Sequence, residues 1–437
     1  MTKLLIFTPE ISPRIKYIFN FVFGDLLQLN FKVTDEKDAF LRFEGPVINY
    51  SPFPLSKGVW IQQRSFLTES GVRPVELLPG KWKDFPVLFY TGSAPDLPFD
   101  LFSASFYLIS RFEEYLHFEP DIMGRFPAKE SVAYKQGFLE VPVVDIWVSK
   151  LGQILKIRYP DLVIGKPEFT FMSSLDVDQA WAYLNKGMLR NFGGGLKFML
   201  RTDLKDLQKR LGTLLKTRKD PFDTFTYLKE IHSEYDFRPV LFFQVGKYGR
   251  FDKNLPGKHP AMRKLINKVD AFAEIGIHPS FRSDQFNELE WELDVYKSIK
   301  GGLPEKSRQH YIRMRFPKTY RNLLKLGVRE DYSMGYPEMP GFRAGTATPH
   351  NFYDLGEEIE TKLKIFPFIL MDTCLNEKMQ LQPDQALSLI KEFINKVKKV
   401  GGTFIPLWHN SSLGEEGEWK GWRYVFEGML AECTEIV

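Results

Sequence analysis

The chain has 437 residues, of which 43% are hydrophobic and 15% aromatic, and this length favours two domains over one core. The 59 basic and 55 acidic residues leave a net charge of only +4, which gives no sign of the clustered positive surface that a nucleic-acid-binding protein needs. With two cysteines, Cys374 and Cys433, neither a disulfide framework nor a thiolate metal cluster is available.

The N-terminus carries a short apolar run that Pro9 and Glu10 interrupt. A secretion signal needs a longer apolar region and a small-residue cleavage site. No run in the chain approaches the ~20 apolar residues of a membrane span. We therefore expect a cytoplasmic protein with no signal peptide and no transmembrane segment.

Residues 1–165 are predicted to form an N-terminal α/β domain. The pattern predicts strands and helices in alternation: strands at 4–7, 47–50 and 87–90, and helices at 15–29 and 100–115. Two prolines and a glycine between 160 and 167 mark the linker to a second domain, 166–437.

The second domain alternates more regularly. Seven strands are predicted at 169–175, 240–245, 276–278, 310–315, 328–332, 366–371 and 403–408. Helical patterns lie between most of them, at 224–235, 261–274, 289–300, 319–326 and 385–400. The basic stretch 205–219 has interleaved leucines and fits a solvent-facing helix. Strands alternating with helices predict a parallel sheet, and a distorted (β/α) barrel is the natural solution at this size.

Six polar residues fall at or just past the ends of predicted strands: Asp176, Asp178, His278, Asp331, Asp372 and His409. A barrel brings such ends to one face, where barrel active sites lie. Asp176 and Asp178 are two residues apart, so their side chains point to the same side of a strand. For Asp178 alone, the alternative is a helix N-cap, because a helical pattern follows over 179–189.

These residues resemble the polysaccharide deacetylases of the NodB-homology type, a family of distorted (β/α) barrels. Asp176-Val-Asp178 looks like the first motif of the family, His278-Pro-Ser-Phe-Arg-Ser283 like the second, and Leu407-Trp-His409-Asn410 like the last. The segment from Ser307 through Asp331 to Gly345, with Arg111 to Tyr115 upstream, is similar to a subgroup with an additional N-terminal domain of unknown role.

The resemblance implies a metal-dependent hydrolase. By analogy, Asp176 would be the general base, Asp178 a metal ligand and His409 the acid that protonates the departing amine. Zinc suits imidazole and carboxylate ligands best, although cobalt, nickel or iron would suit the same set. Asp372 and Trp408 would bind or orient the substrate; the alternative for Trp408 is simple packing.

The sequence departs from the family at the second motif, which normally has histidines at i and i+4. The fourth residue after His278 is Arg282, which cannot coordinate a metal. His310 is the best substitute for the missing ligand, with a buried core histidine as the equal alternative. The arginine that orients the catalytic aspartate has two candidates, Arg315 and Arg343, of which we favour Arg343.

The expected function is removal of N-acetyl groups from a saccharide or polysaccharide, with an N-acetylated glycan as partner and no nucleic acid. The incomplete metal motif keeps a second function open, a catalytically degenerate protein that binds glycan or scaffolds surface-polysaccharide synthesis. A hydrolase of phosphate esters is a third. Neither the glycan nor the oligomeric state follows from the sequence.

Overall fold

The computed structural model describes residues 3–186 and 204–434. Its N-terminal part contains a four-stranded parallel sheet in the order β2-β1-β3-β4. The strands are β1 (Leu4–Phe7), β2 (Phe31–Thr34), β3 (Val47–Ser51) and β4 (Val59–Gln62). All residues of β1 and β3 are buried, as expected of central strands covered on both faces. A separate antiparallel pair follows, β5 (Gly80–Trp82) and β6 (Phe85–Val87).

Five α-helices accompany this sheet: α1 (Pro13–Phe19), α2 (Lys37–Arg42), α3 (Leu101–Ile109), α4 (Val132–Lys135) and α5 (Val143–Arg158). α1 continues as a π-helix over Asn20–Leu26. The helix predicted at 100–115 is divided in two. Asp100 caps α3 by accepting a hydrogen bond from the Ser103 amide, but Arg111 has φ 53°, which ends the helix before a 3₁₀ turn over Phe112–Tyr115.

The C-terminal part is built on a nine-stranded sheet in the order β13-β14-β12-β11-β10-β9-β8-β17-β15. Its strands are β8 (Ser174–Val177), β9 (Val240–Phe243), β10 (Glu274–Ile277), β11 (Lys306–Ser307), β12 (Glu330–Asp331), β13 (His350–Asp354), β14 (Ile359–Ile365), β15 (Leu370–Met371) and β17 (Pro406–His409). All run parallel except β13. β7 (Thr170–Phe171) and β16 (Thr403–Phe404) form a small parallel pair.

The last strand in the sequence, β17, pairs with the first strand of this sheet, β8, and β15 pairs with the other edge of β17. Within 3–186 and 204–434, no ladder joins β14 to β15, so the sheet does not show the closed ring of the predicted barrel. The mixed α/β class is confirmed. Six of the seven predicted strands correspond to strands of this sheet, and the sequence pattern did not reveal β11 or the hairpin β13–β14.

The predicted helices of this part correspond to α6 (Leu204–Leu214), α7 (Phe225–Glu234), α8 (Pro260–Val269), α9 (Phe286–Lys300), α10 (Lys318–Lys325) and α11 (Pro383–Val400). A further helix, α12 (Trp422–Thr434), follows them. The helix predicted at 179–189 is absent over 179–186, which form turns and bends, and 187–189 lie outside the described residues. Within the described ranges, no helix is both long and apolar enough to cross a membrane.

The strand predicted at 310–315 is wrong. Residues His310–Ile312 form a 3₁₀ turn in which Tyr311 and Ile312 have φ of 58° and 55°. Two consecutive left-handed residues, one of them β-branched, cannot continue a strand, and such backbone is strained by roughly 1–3 kcal/mol for each residue. The alternating sequence of residues 311–314, Tyr-Ile-Arg-Met, predicts a strand, but these residues do not form one.

The described residues form two large buried cores and one small cluster. The small cluster contains Leu5, Phe7, Phe40 and Val47. One large core consists of residues from 175 to 433, and the other of residues from 4 to 162 together with Tyr336, Tyr353 and Leu355. The hairpin β13–β14 and the segment before it therefore attach the large sheet to the N-terminal core.

Candidate functional site

Strand ends of the large sheet meet at one edge. β8, β10, β11, β15 and β17 are parallel, so the residues that follow them share the carboxyl edge of the sheet, where α/β ligand sites form. β17 pairs with β8 in register, which sets His409 opposite Asp176. The residues brought together here are Asp176, Asp178, His278, His310, Asp372 and His409.

Asp178, His278 and His310 direct one ligand atom each toward a common point. These atoms all lie within 4.8 Å of one another. His278 Nε2 is 3.1 Å from Asp178 Oδ1, and His310 Nε2 is 3.5 Å from Asp178 Oδ2. Two imidazoles and a carboxylate form one of the ligand sets that zinc takes in hydrolases.

Each histidine is held by its other ring nitrogen. His278 Nδ1 lies 2.6 Å from the carbonyl oxygen of Arg308, and His310 Nδ1 lies 2.9 Å from Asp252 Oδ1. A carbonyl and a carboxylate can only accept, so each ring in its neutral form carries its proton on Nδ1 and leaves Nε2 free for a metal. Metal-binding histidines are characteristically fixed in this way.

The hydrogen bonding of Asp178 is consistent with a cation bound at the cluster. Asp178 Oδ1 is buried and accepts no hydrogen bond of good geometry, although the side chain as a whole is 33% exposed. An unsatisfied buried carboxylate oxygen is costly unless a partner binds it. No helix begins at Asp178, so the N-cap interpretation is wrong. The residues present thus fit a divalent ion.

The ionisable side chains of the cluster shift one another's pKa. Burial raises the pKa of Asp178, but His310, His278 and His409 outweigh it and hold the pKa well below its ordinary value. Burial lowers the pKa of His310, while Asp178 and Asp252 raise it to about 9. Without a metal ion the cluster therefore contains a carboxylate beside an imidazolium, and a metal ion must displace that proton.

Asp176 lies beside this cluster and is held by an arginine. Arg308 Nη1 donates to Asp176 Oδ1 at 3.0 Å, and Arg308 Nη2 donates to Ser174 Oγ at 2.7 Å. The other oxygen, Asp176 Oδ2, is 3.7 Å from His278 Nε2. Asp176 can thus face the cluster with one oxygen while the guanidinium fixes the second.

The structure corrects the prediction that Arg343 orients Asp176. Arg343 forms a buried bidentate pair with Glu114 of the N-terminal part, at 2.8 and 2.5 Å, and donates to the carbonyl of Gly335. Arg111 joins this network through Glu114. The other candidate, Arg315, is half exposed and is 3.9 Å from Asp284. Of the three arginines, Arg308 is the one that donates a hydrogen bond to Asp176.

His409 and Asp372 form a second pair at the same edge. Asp372 accepts hydrogen bonds from His409 Nδ1 at 2.8 Å and from the His409 amide at 2.7 Å. Burial lowers the pKa of His409, but Asp372 and Asp178 raise it to about 10. His409 Nε2 carries a proton and points toward Asp178 Oδ2, 3.9 Å away.

Two further candidate residues, and Arg282 of the second motif, lie away from the ligand cluster. Trp408 is fully buried against Trp422 and Phe426, so the alternative of simple packing is correct. Asp331 accepts hydrogen bonds from the amide and hydroxyl of Ser333 and is buried. Arg282 is exposed and contributes nothing to the ligand cluster.

Sequence reasoning missed Asp252 and Arg308. Arg308 lies two residues before His310, just past β11, and this spacing was the available signal. Asp252 lies in the loop after β9, between exposed basic residues, and no motif marks it. Its contact with His310 joins loops that are 58 residues apart in the sequence.

Comparison with known protein families gives one match, residues 4–160 to a family of unknown function, DUF7033. This segment lies in the N-terminal part and is consistent with an additional domain. A search of the curated proteins gave no match.

Solved structures with similarity to the chain include three proteins of low sequence identity. A putative polysaccharide deacetylase from Mycobacterium smegmatis is 16% identical, with TM-score 0.39, over 61% of this chain and 85% of that chain. Puue allantoinase and a probable polysaccharide deacetylase from Pseudomonas aeruginosa PAO1 are each 11% identical, with TM-score 0.38, over 60% of this chain and 84% of theirs. Similarity at this level establishes neither a shared activity nor a substrate.

Proposed function

We propose that the chain is a metal-dependent hydrolase that removes N-acetyl groups from a saccharide. The observation that carries this proposal is the cluster of Asp178, His278 and His310, in which both histidines present Nε2 to the Asp178 carboxylate and one carboxylate oxygen has no hydrogen-bond partner. The motif resemblance supports the choice of an N-acetylated saccharide, because the geometry alone fits several substrates.

Asp178, His278 and His310 would hold the ion, with zinc the favoured metal and cobalt, nickel or iron as alternatives. When bound, the ion would act as a Lewis acid and make water a nucleophile near neutral pH. The chain's own groups would handle the protons. Asp176, restrained by Arg308, would take the proton of the attacking water.

His409 would act as the general acid. Hydrolysis breaks the amide C–N bond, and the departing nitrogen needs a proton to leave as an amine. His409 carries one on Nε2, and Asp372 stabilises the imidazolium that supplies it. The products are acetate and the free amino sugar.

The decisive experiment measures metal content and acetate release together. We expect the full-length wild type to take up Zn²⁺ or Co²⁺ and to release acetate from N-acetylated oligosaccharides. His310→Ala should lose most of the metal, whereas His350→Ala, which removes a buried histidine away from the cluster, should retain it.

Two results would reverse the proposal. A wild type that binds no divalent metal would leave the degenerate glycan-binding scaffold as the function. Release of phosphate rather than acetate, from a metal-loaded protein, would favour a hydrolase of phosphate esters.

A further inference from the structure

A cleft of about 540 Å³ adjoins the candidate metal centre. Asp252 belongs to both sites: its Oδ1 accepts from His310 Nδ1 and, at 2.9 Å, from the backbone amide of Phe281, which lines the cleft. The ring of Tyr311 packs on His310 with centroids 4.1 Å apart. Tyr311, which is 37% exposed, also packs edge-on against Phe251 and Phe281, so its side chain spans the surface between His310 and the cleft.

Three arginines line the cleft: Arg250, Arg282 and Arg313. Arg313 is already fixed, because it pairs with Asp284 at 3.3 Å and donates to the carbonyls of Phe281 and Met123. Arg250 and Arg282 are exposed, and neither has a carboxylate within 4.0 Å among the residues that the structure describes. Asp252 also lines the cleft, but its ion pair is with His310 and not with either arginine.

The cleft also has an apolar surface. The rings of Phe251 and Phe281 stack with centroids 4.2 Å apart, and Arg313 lies over the Phe281 ring at 4.3 Å. From the N-terminal part, Arg125 donates to the carbonyl of Tyr311 at 2.7 Å. These contacts hold the surface in place before any ligand arrives, which lowers the entropy cost of binding.

We propose that this arginine cleft binds an anionic sugar residue of the glycan, next to the N-acetylated residue at the metal centre. This inference rests on the proposed function for the identity of the neighbouring residue. Arginine presents a planar fork of donors suited to carboxylate and phosphate groups. Arg282, four residues after His278, is free for this role because His310 completes the metal cluster.

The test compares matched oligosaccharides on the full-length, metal-loaded protein. The first probe alternates N-acetylglucosamine with glucuronic acid; the second is its carboxyl methyl ester, which has the same shape without the charge. A third probe carries phosphate on a neutral N-acetylglucosamine oligomer. Calorimetric affinity and acetate release are measured for wild type, for Arg250→Gln with Arg282→Gln, and for Arg158→Gln, which removes an exposed charge elsewhere.

We expect the wild type to bind an anionic probe about tenfold more tightly than the methyl ester, with a preference that weakens at high salt. The double variant should lose this preference and Arg158→Gln should keep it. Preference for the glucuronate or for the phosphate probe identifies the anion.

A wild type that binds neither the glucuronate probe nor the phosphate probe more tightly than the methyl ester overturns the inference, even if acetate is released from all three. Arginine-dependent binding of the acid without any acetate release would support the cleft and refute the proposed activity. The two proposals can therefore fail separately.

Discussion

Replacing Asp252 with asparagine tests the hydrogen bond that holds the proposed metal ligand His310 by its Nδ1 atom. Asp252 Oδ1 lies 2.9 Å from His310 Nδ1, whereas the equivalent contact of His278 goes to the backbone carbonyl of Arg308. The amide keeps the shape and one acceptor but loses the charge that fixes the His310 tautomer. Loss of such a contact typically costs about 10–100-fold in metal affinity, or about 1.4–2.8 kcal/mol.

The same substitution changes the competition between metal and proton. Since the pKa of His310 is about 9, the wild type at pH 7 must release a proton to bind metal, which weakens apparent affinity by about 100-fold relative to pH above 9. Asp252 helps raise this pKa, so the variant has a smaller proton penalty. The two effects oppose each other at pH 7, and only the loss of orientation remains above pH 9.

We therefore expect the variant to lose about 10–100-fold in affinity above pH 9 and less at pH 7. Competition with a chelator for Zn²⁺ or Co²⁺, at both pH values, measures the difference. Asp284→Asn is the matched control, because Asp284 pairs with Arg313 nearby without contacting His310. Equal affinity of wild type and Asp252→Asn above pH 9, or a larger loss at pH 7, would refute the reasoning.

Three further predictions follow from the contacts of the site. Asp176→Asn should lower turnover by roughly 10²–10⁴-fold at unchanged metal content, as acetate-release assays with metal analysis would reveal; loss of the metal instead would make Asp176 a ligand. Wild-type turnover should fall at alkaline pH as His409 loses its proton, because Asp372 outweighs burial and holds the pKa of His409 above its ordinary value; a rate that keeps rising would exclude His409 as the acid. Arg343→Met should lower the free energy of unfolding by about 1–3 kcal/mol, because buried Glu114 loses two of its hydrogen-bond donors and keeps only its pair with Arg111, while metal affinity stays within experimental error. A folded variant with weakened metal binding would instead place Arg343 at the site.

The polar residues at the ends of apolar runs could be predicted from the sequence, because the residue pattern of a buried strand is local. A buried strand must be apolar, and its first polar residue marks the edge of the sheet. Asp176, Asp178, His278 and His409 could be found on this basis, and register pairing of β17 with β8 brings the last of them to the first. The same argument failed for residues 310–315, because alternation of apolar and polar residues does not exclude left-handed backbone.

Only the tertiary structure shows which charged residues pair with each other. Arg308, Arg315 and Arg343 are equivalent as sequence letters, yet only Arg308 reaches Asp176, whereas Arg343 pairs with Glu114 of the N-terminal part. The sequence alone determined the strand-end residues and the alternating α/β pattern, since these follow from local periodicity. Which histidine replaces the ligand absent at Arg282, and which carboxylate fixes it, depends on how loops distant in sequence pack together, and a local pattern carries no information about that packing.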